Sequence, residues 1–281
     1  MSIWAHTLVK NEERYVWFAV MSVIDHVDRI LIWDTGSSDG TVQIISEIQK
    51  LYPEKVSFKE VGEVDINQFT IVRQKMLDQT QADWFIIVDG DEVWWDSSIK
   101  EVVDVIKKDG NNLDSVVSKY HNVIGDIYHF QEEKAGRYNI DGFSGHYNIR
   151  AVNRNISGLH FSKPHGQQGL FDNDNKLIQE RDAIKRQLLD GFSYLHFTNM
   201  IRSRDLLKDS EVIKRNIKYK YELGKNFSLD FYYPEVFFRN NPNCIDNPWI
   251  SMNYDYFVKS AVQTPLKLLK RRLIKTSKSG Y

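Results

Sequence analysis

The first hundred residues alternate between short apolar runs and longer mixed segments, and this alternation constrains the fold more than any other feature. The short runs have the length and the Val, Ile and Trp content of buried strands, whereas the longer segments carry apolar residues at helical spacing. The predicted strands are 3–9, 29–33, 56–60 and 84–88, and the predicted helices between them are 12–24, 41–51 and 66–78. Strands and helices in this order predict an α/β fold, with a parallel sheet and helices on both faces.

The composition is that of a soluble globular protein. Of the 281 residues, 42% are hydrophobic and 27% are charged, which allows one large domain or one domain with a smaller addition. The net charge of −1 gives no strong overall field, so we expect no specific nucleic-acid partner. The single cysteine, Cys244, excludes an internal disulfide framework and a multi-cysteine zinc site.

Targeting signals are not visible in the sequence. The first residues lack the basic leader and apolar core of a secretory signal. No window reaches the ~18 to 20 uncharged apolar residues that a membrane span requires. From these two observations we expect a cytoplasmic protein.

The fourth predicted strand ends abruptly in acidic residues. The apolar run 84–88 is followed by Asp89, Gly90, Asp91 and Glu92. In open α/β sheets the carboxyl ends of the strands border the crevice in which ligands bind. Two adjacent carboxylates there suggest a site for a divalent cation, although a strand followed by an acidic turn has the same pattern.

Polar segments also follow the first two strands, at 10–13 and 34–41. Because neighbouring parallel strands end at the same edge of a sheet, we expect all three segments to meet there. An acid such as Asp34, followed by small turn residues, can accept hydrogen bonds from a ribose or a base. The alternative is an ordinary strand-to-helix turn in which Ser38 or Asp39 caps the helix. No G-x-G-x-x-G follows the first strand, which argues against a dinucleotide fold.

In this order, the segments 9–13 (VKNEE), 34–41 (DTGSSDGT) and 89–92 (DGDE) resemble those of family 2 glycosyltransferases with the GT-A fold. The segment 67–74 is similar to the F-x-x-A-R-N helix start of that family. The match is specific over residues 1–95. The resemblance implies a GT-A type fold, with a mostly parallel central sheet, helices on both faces and a helical C-terminal extension.

The resemblance also implies a division of the chain. Residues 1–200 would form the GT-A domain, with a nucleotide-sugar-binding half over 1–110 and an acceptor-side half over 111–200. Residues 201–281 would form a helical, basic C-terminal extension.

The resemblance assigns the acids after the fourth strand to a D-x-D motif. Asp89 and Asp91 would hold Mn²⁺ or Mg²⁺ and touch the donor ribose, with Asp91 the stronger candidate for direct coordination. A hard cation prefers oxygen ligands and shares its remaining positions with water and substrate phosphates. Such a cation neutralises the charge that develops on the departing nucleoside diphosphate.

Other residues would bind the donor by the same resemblance. Asp34 would contact the nucleoside, with Thr7 and Glu12 beside it. Arg73 would bind a phosphate or a carboxylate in the donor site, or alternatively form a structural salt bridge on its helix.

Two residues are candidates for the catalytic base. An inverting transferase needs a carboxylate or a histidine to accept the proton of the acceptor. Asp141 is the better-placed candidate, although it also suits the capping of a Gly-rich turn, and His165 is the substitute. Many relatives have His-Glu where this chain has His165 and Gly166. His196 resembles a histidine that completes the metal or diphosphate site, and is otherwise a rim or core residue.

The C-terminal segment 265–278 contains six basic residues and no acid. We predict a helix that includes part of this segment and the residues before it. Its apolar residues recur along one side, at Val258, Val262, Leu266, Leu269 and Leu273. Such a basic amphipathic helix suits an anionic membrane surface. The alternative is a helix whose apolar side packs on the domain and whose basic edge is solvated.

The sequence therefore predicts a metal-dependent, hexosyltransferase-like and inverting glycosyltransferase. Its donor would be a nucleotide-sugar, first of all a UDP-sugar, and its acceptor a glycan, a glycolipid precursor or another molecule of cell-surface polysaccharide synthesis. The location would be cytoplasmic, with peripheral contact at the inner membrane face. The alternative is a non-catalytic GT-A relative that binds a sugar or a protein. A sugar-nucleotide pyrophosphorylase is disfavoured because residues 10–13 are not the Gly-rich loop of that class.

Overall fold

The computed structural model describes residues 1–273 with their side chains and the backbone of residues 278–279. The strands are β1 (Ile3–Val9), β2 (Arg29–Asp34), β3 (Val56–Glu60), β4 (Trp84–Ile87), β5 (Glu92–Trp94), β6 (Ser115–Ile124), β7 (Asp126–Phe130), β8 (Tyr138–Ile140), β9 (Phe143–Gly145), β10 (Tyr147–Asn153), β11 (His160–Ser162), β12 (Gly169–Phe171), β13 (Arg186–His196), β14 (Lys225–Asn226) and β15 (Lys278–Ser279). The helices are α1 (Val16–Met21), α2 (Thr41–Leu51), α3 (Ile66–Gln79), α4 (Asp96–Asp109), α5 (Leu206–Glu211), α6 (Arg215–Lys218) and α7 (Tyr254–Leu273). Short 3-10 helices are Glu133–Ala135, Ile178–Glu180, Ala183–Lys185 and Glu235–Phe238.

A ten-stranded sheet lies at the centre of the described residues. Its strands follow the order β14-β7-β6-β10-β4-β1-β2-β3, and β13 joins it by pairing with β6 and β5. β1 is parallel to β2 and β4, and β2 is parallel to β3, whereas β10 is antiparallel to β4 and β6. The predicted α/β class is confirmed, with a large, mostly parallel central sheet flanked by helices.

Most elements of the first hundred residues have the predicted bounds. β1, β3 and α2 match the prediction at both ends, and α3 is one residue longer. The helix predicted over 12–24 is shorter at both ends, because residues 13–15 and 22–26 form turns. In the first turn the amide of Val16 donates to the carbonyl of Glu12 at 2.9 Å. The turn that begins after Glu12 places this residue at the edge of the sheet.

β2 shows why the central strands have near-continuous apolar sequences. Ile30 and Ile32 belong to the core under α1, α2 and α4, whereas Leu31 and Trp33 belong to the core under α3. Successive side chains of a strand point to opposite faces. A strand covered by helices on both faces therefore buries every residue, and the apolar run identifies it.

The sequence pattern Ser98-x-x-Glu101 is typical of a capping box, but α4 has no side-chain cap. α4 begins two residues earlier, at Asp96, and Ser98 donates its hydroxyl to the carbonyls of Trp95 and Ser193. A capping box is present instead at the start of α3. The Asp65 carboxylate accepts from the amides of Asn67 and Gln68 at 2.7 and 2.8 Å, and the Gln68 side chain accepts from the Asp65 amide.

The part of the chain beyond residue 200 is helical only in places. It contains α5, α6, α7, the 3-10 helix Glu235–Phe238 and the two-residue strands β14 and β15. The boundaries at residues 110 and 200 stay predictions, and the side chains of the basic tail after residue 273 lie outside the described residues. No helix within residues 1–273 is long and apolar enough to cross a membrane.

We expect Asp65→Ala to lower the free energy of unfolding by about 1 kcal/mol, because it leaves two amides of α3 without an acceptor. Asp65→Asn is the matched control, since asparagine caps a helix about as well as aspartate. Urea unfolding followed by circular dichroism measures both variants. Equal stability of the alanine and asparagine variants would contradict the capping role.

Candidate active site

The carboxyl ends of β1, β2 and β4 meet at one edge of the sheet. β1 and β2 are in register up to Val9 opposite Asp34, and β1 pairs on its other side with β4. The polar segments that follow these strands are 10–13, 35–41 and 89–92. The predicted meeting of the three polar segments is therefore confirmed.

Four carboxylates from two of these segments gather at this edge. We name them the acidic cluster: Glu12, Asp89, Asp91 and Glu92. Ion pairs connect them to four buried arginines, which are Arg73, Arg150, Arg202 and Arg215. Charges removed from water in this way are stable only when they are paired.

Asp89 is the most accessible member of the acidic cluster, with 29% of its side chain exposed. Its two carboxylate oxygens lie 2.8 Å from a guanidinium nitrogen of Arg73 and 3.2 Å from one of Arg150. Burial opposes the charge of Asp89, but the two arginines outweigh it and lower the pKa of Asp89 to about 2. Arg73, which extends from α3, thus forms an ion pair inside the site.

Asp91 is buried and lies between a guanidinium and an imidazole. Its Oδ2 atom is 2.6 Å from a guanidinium nitrogen of Arg202 and 3.5 Å from Nε2 of His196. Burial alone would raise the pKa of Asp91, but the charges of Arg202 and Lys218 and the hydrogen bond to His196 hold that pKa far below its usual range. The Asp91 carboxylate is therefore ionised at every physiological pH.

Glu12 holds two arginines from the C-terminal part of the chain. Its Oε1 atom lies 2.8 Å from a nitrogen of Arg202 and 2.5 Å from one of Arg215. Burial raises the pKa of Glu12 to about 7, against the attraction of both arginines. Glu12 was predicted to bind the nucleoside, and in this structure it positions Arg202 and Arg215.

Glu92 and Arg150 form the most deeply buried pair of the site. The Arg150 guanidinium contacts one oxygen of Glu92, and the Glu92 side chain is completely buried. Burial raises the pKa of Glu92 to about 8, and the nearby charges of Asp89 and Asp91 act in the same direction. Arg150 therefore ties β10 to the acidic segment after β4.

His196, the last residue of β13, faces two acids of the cluster. Its Nε2 atom is 3.5 Å from Asp91 and 3.8 Å from Glu92, and its Nδ1 atom is buried without a hydrogen-bond partner. Burial lowers the pKa of His196, although Asp91 opposes that shift. A neutral imidazole in this position can offer a lone pair to a metal ion.

The carboxylate of Asp91 and the imidazole of His196 are suitable ligands for the predicted cation. A carboxylate oxygen and an imidazole nitrogen are ligands that Mn²⁺ accepts. The guanidinium of Arg202 already lies against Asp91, which shows that this side of the carboxylate accommodates a positive charge. Among the described residues, no group of three or more His, Cys, Asp or Glu side chains is arranged to hold a metal ion. Any cation would therefore need further ligands from a substrate or from water.

The residues predicted to bind the nucleoside have different environments. The Asp34 carboxylate accepts from the amides of Gly36 and Ser37 at 2.9 Å each and from the Ser37 hydroxyl, so it shapes its own loop. Thr7 is fully buried within β1, two residues before the strand ends.

Asp141 does not join the acidic cluster. It lies in the turn between β8 and β9 with a left-handed φ of 52°, and its carboxylate is 2.5 Å from a guanidinium nitrogen of Arg186. Arg186 is opposite Ser115 in the sheet, whereas His196 is opposite Asn122. Seven residues of strand separate these positions, a distance of about 23 Å. In this structure the Asp141 carboxylate is paired with Arg186, and the amide of Gly142 in the turn donates to the Asn139 side chain.

His165 lies near the acidic cluster, on the side of Asp89. Its ring packs 4.3 Å from the ring of Phe69, and its Nδ1 atom is buried without a hydrogen-bond partner. Burial lowers the pKa of His165 to about 4, and the charges of Lys218 and Arg73 add to the shift while Asp89 opposes it. At neutral pH this imidazole is therefore unprotonated.

Three arginines of the site were not predicted. Arg150 lies in a largely apolar strand, and a buried arginine there requires an acidic partner. The need for an acidic partner could have identified Arg150 as a residue of the site. Arg202 and Arg215 gave no such signal, because their segment has the sequence of an exposed, basic helix. Only the folded chain brings them to Glu12, which is about 190 and 203 residues away in sequence.

The fold and these strand-end residues define a member of a glycosyltransferase family. The sequence profile of glycosyl transferase family 2 matches residues 6–210. The chain therefore belongs to glycosyl transferase family 2. No curated protein sequence matches it.

Several solved structures are similar to this chain. S. aureus TarS 1-349 in complex with UDP-GlcNAc has 17% identity and a TM-score of 0.48, over 75% of this chain and 61% of that one. Glucosyl-3-phosphoglycerate synthase from Mycobacterium tuberculosis, in complex with Mn²⁺, UDP and glucosyl-3-phosphoglycerate, has 16% identity and a TM-score of 0.44, over 77% and 78%. The mannosyltransferase PcManGT from Pyrobaculum calidifontis, in complex with GDP-Man and Mn²⁺, has 14% identity and a TM-score of 0.38, over 55% and 45%. The chain spans 61% of the TarS 1-349 chain.

We expect the contribution of Glu92 to the free energy of unfolding to fall between pH 5 and pH 8, and Glu92→Gln to remove that contribution from the pH dependence of the wild type. The pKa of Glu92 is raised from its ordinary 4.5 to about 8. The folded chain therefore keeps a proton that the unfolded chain has lost, and this contribution to stability disappears as the pH rises through about 8.

Urea unfolding at pH 5 and pH 8 measures this difference. The matched control is Glu101→Gln, which changes an exposed carboxylate on α4. A Glu92→Gln variant with the pH dependence of the wild type would show that Glu92 does not titrate in this range.

Proposed function

We propose that this family 2 chain is a metal-dependent glycosyltransferase that moves a sugar from a nucleotide-sugar to an acceptor hydroxyl. The observation that carries the proposal is the contact of Asp91 with His196. The Oδ2 atom of Asp91 lies 3.5 Å from Nε2 of His196, and buried arginines surround the pair. Such a site suits a cation that bridges protein and diphosphate, with guanidinium groups beside it for phosphate oxygens.

The donor would bind along the strand ends. Asp91 and His196 would hold Mn²⁺ or Mg²⁺, and Asp89, the most exposed acid, would meet the ribose. A bound divalent cation neutralises charge on the departing nucleoside diphosphate. Arg202, which contacts Asp91 at 2.6 Å, would donate hydrogen bonds to the phosphate oxygens of a diphosphate bound to the cation at Asp91. We propose a UDP-sugar as donor, with its base near the Asp34 loop.

We propose His165 as the base of an inverting transfer. The acceptor oxygen would lose its proton to His165 and form a bond to the anomeric carbon, while the bond from that carbon to the diphosphate oxygen breaks. The pKa of about 4 keeps the imidazole unprotonated at neutral pH, and its Nδ1 atom is not engaged in a hydrogen bond. Asp141 is less suited to this role, because Arg186 holds it at a distant turn.

His165→Asn should lower kcat by about 10² to 10⁴-fold, the usual contribution of a general base, with donor binding unchanged. His160→Asn, a change on the nearby strand β11, is the matched control. Single-turnover rates and equilibrium binding of the nucleoside diphosphate separate the two effects. Equal kcat values for both variants would exclude His165 as the base.

Nucleoside diphosphate should stabilise the folded chain only when Mn²⁺ or Mg²⁺ is present. At one hundred times the dissociation constant the gain is about 2.7 kcal/mol. We expect Asp91→Asn to abolish this gain and Asp104→Asn, on the exposed face of α4, to retain it. Thermal unfolding with UDP, with metal and with both measures the effect. Full metal-dependent stabilisation of Asp91→Asn would refute the assignment of the cation to Asp91.

We further propose a hexosyl group as the transferred sugar and a glycan or glycolipid precursor as the acceptor. The resemblance of the strand-end motifs supports a role in cell-surface polysaccharide synthesis. The reaction would take place in the cytoplasm, with the enzyme in peripheral contact with the inner membrane face.

A non-catalytic module that binds a sugar or a protein is the second candidate. It is favoured by the arginines, since each acid of the cluster is already neutralised by a guanidinium. A panel of nucleotide-sugars with Mn²⁺ distinguishes the two. Slow release of nucleoside diphosphate from one donor, lost in Asp91→Asn, supports the enzyme. Binding of a donor without any such release supports the module.

A further inference from the structure

The inner face of helix α7 is polar and is hydrogen-bonded to the segment that precedes it. The Lys267 ammonium donates to the carbonyl of Tyr221 at 2.6 Å. Arg271 binds both carboxylate oxygens of Glu222, at 2.6 and 2.7 Å. Thr264 accepts the amide of Leu223 at 2.8 Å. The side of the helix that packs on the domain is therefore its polar and partly basic side.

The outer face of α7 is apolar and exposed. Its large apolar side chains are between 43% and 79% exposed. They are Tyr254, Val258, Val262, Leu266, Leu269 and Leu273. Steps of three and four residues place them in one line along the helix. We name this line the outer stripe of α7.

The exposure of the outer stripe excludes one of the two arrangements of the C-terminal helix that the sequence allows. That alternative places the apolar side of the helix on the domain and leaves the basic edge in solvent. In the structure the domain instead contacts Lys267 and Arg271, and the apolar side remains exposed. A continuous exposed apolar stripe of this kind marks a contact with a membrane or with another protein.

The charges beside the outer stripe indicate which of these it contacts. Lys259, Lys270 and Arg272 are exposed at its margins, and the sequence contains no acid after Asp255. Two copies joined through this stripe would bring like charges together, which is unfavourable. An anionic lipid surface attracts such charges, and an amphipathic helix with an exposed apolar face lies in its interface.

We propose that the outer stripe of α7 docks this chain on an anionic lipid bilayer. The helix has 20 residues and would lie along the surface over about 30 Å, with its apolar side chains among the acyl chains and its basic margins at the headgroups.

A buried polar network connects this helix to the candidate active site. Glu222, which binds Arg271, accepts from Gln131 at 2.8 Å, and Gln131 accepts from Asn122 at 2.6 Å. Asn122 is opposite His196 in the sheet. Docking would therefore fix the site relative to the bilayer. This consequence, an acceptor held on the lipid surface, rests on the proposed function, whereas the docking itself does not.

Vesicle flotation of the full chain tests the proposal. We expect at least tenfold more protein on vesicles of phosphatidylcholine with one-third phosphatidylglycerol than on phosphatidylcholine alone. We expect Leu266→Glu with Leu269→Glu to lower binding to the anionic vesicles at least tenfold. The matched control, Leu51→Glu with Ile184→Glu, adds the same charge at two exposed apolar positions outside α7 and should bind as the wild type does.

The uncharged pair Leu266→Ser with Leu269→Ser separates loss of apolar contact from added charge and should also reduce binding. Circular dichroism confirms that each variant is folded. Wild-type protein that stays off anionic vesicles, or that binds equally after both Leu266 and Leu269 are replaced, overturns the proposal. A dimer in light scattering that dissociates in the Leu266→Glu/Leu269→Glu variant, with no vesicle binding, also overturns it, in favour of a second copy.

Release of nucleoside diphosphate in solution is measured on the same variants. Variants that keep this activity but lose vesicle binding show the docking surface to be separate from the site. If no protein releases nucleoside diphosphate, the proposed function fails while the flotation result still stands.

Discussion

The pairing of buried acids with buried arginines is the interaction on which this site depends. Removing a charge from water costs several kcal/mol, and only a close, hydrogen-bonded partner offsets that cost. Here the partners come from widely separated elements. Arg73 comes from α3, Arg150 from β10, and Arg202 and Arg215 from the segment after β13. The same contacts that neutralise the carboxylates therefore fasten the C-terminal part of the chain to the edge of the sheet.

The sequence predicts β1, β2 and β4 well because each of these strands is buried over most of its length. In β2 four consecutive apolar residues serve two different cores, so the run itself reveals the strand. The acids of the site were predictable for a related reason, since Asp89 and Asp91 interrupt an apolar run where parallel strands end. Their partners were not predictable. Arg202 and Arg215 are about 200 residues from Glu12 in the sequence, and the local sequence around them gives no indication of this contact.

Two placements could not be derived from the sequence, and the reasons are physical. Asp141 has the right residue type for a base, but only the register of β13 against β6 shows that Arg186 holds it far from His196. For α7 the sequence shows an apolar side and a basic side without showing which one faces the domain. Hydrogen bonds from Lys267 and Arg271 to preceding backbone and carboxylate groups decide that question. They turn the apolar side outward.

We propose that Asp91 and His196 together hold a divalent cation. Electron paramagnetic resonance of Mn²⁺ bound in the presence of UDP tests it most directly, because a nitrogen ligand leaves its own coupling in the pulsed spectrum. We expect one Mn²⁺ per chain, with an imidazole coupling that disappears in His196→Gln. A coupling that persists in His196→Gln, or no bound Mn²⁺ in the wild type, would contradict it.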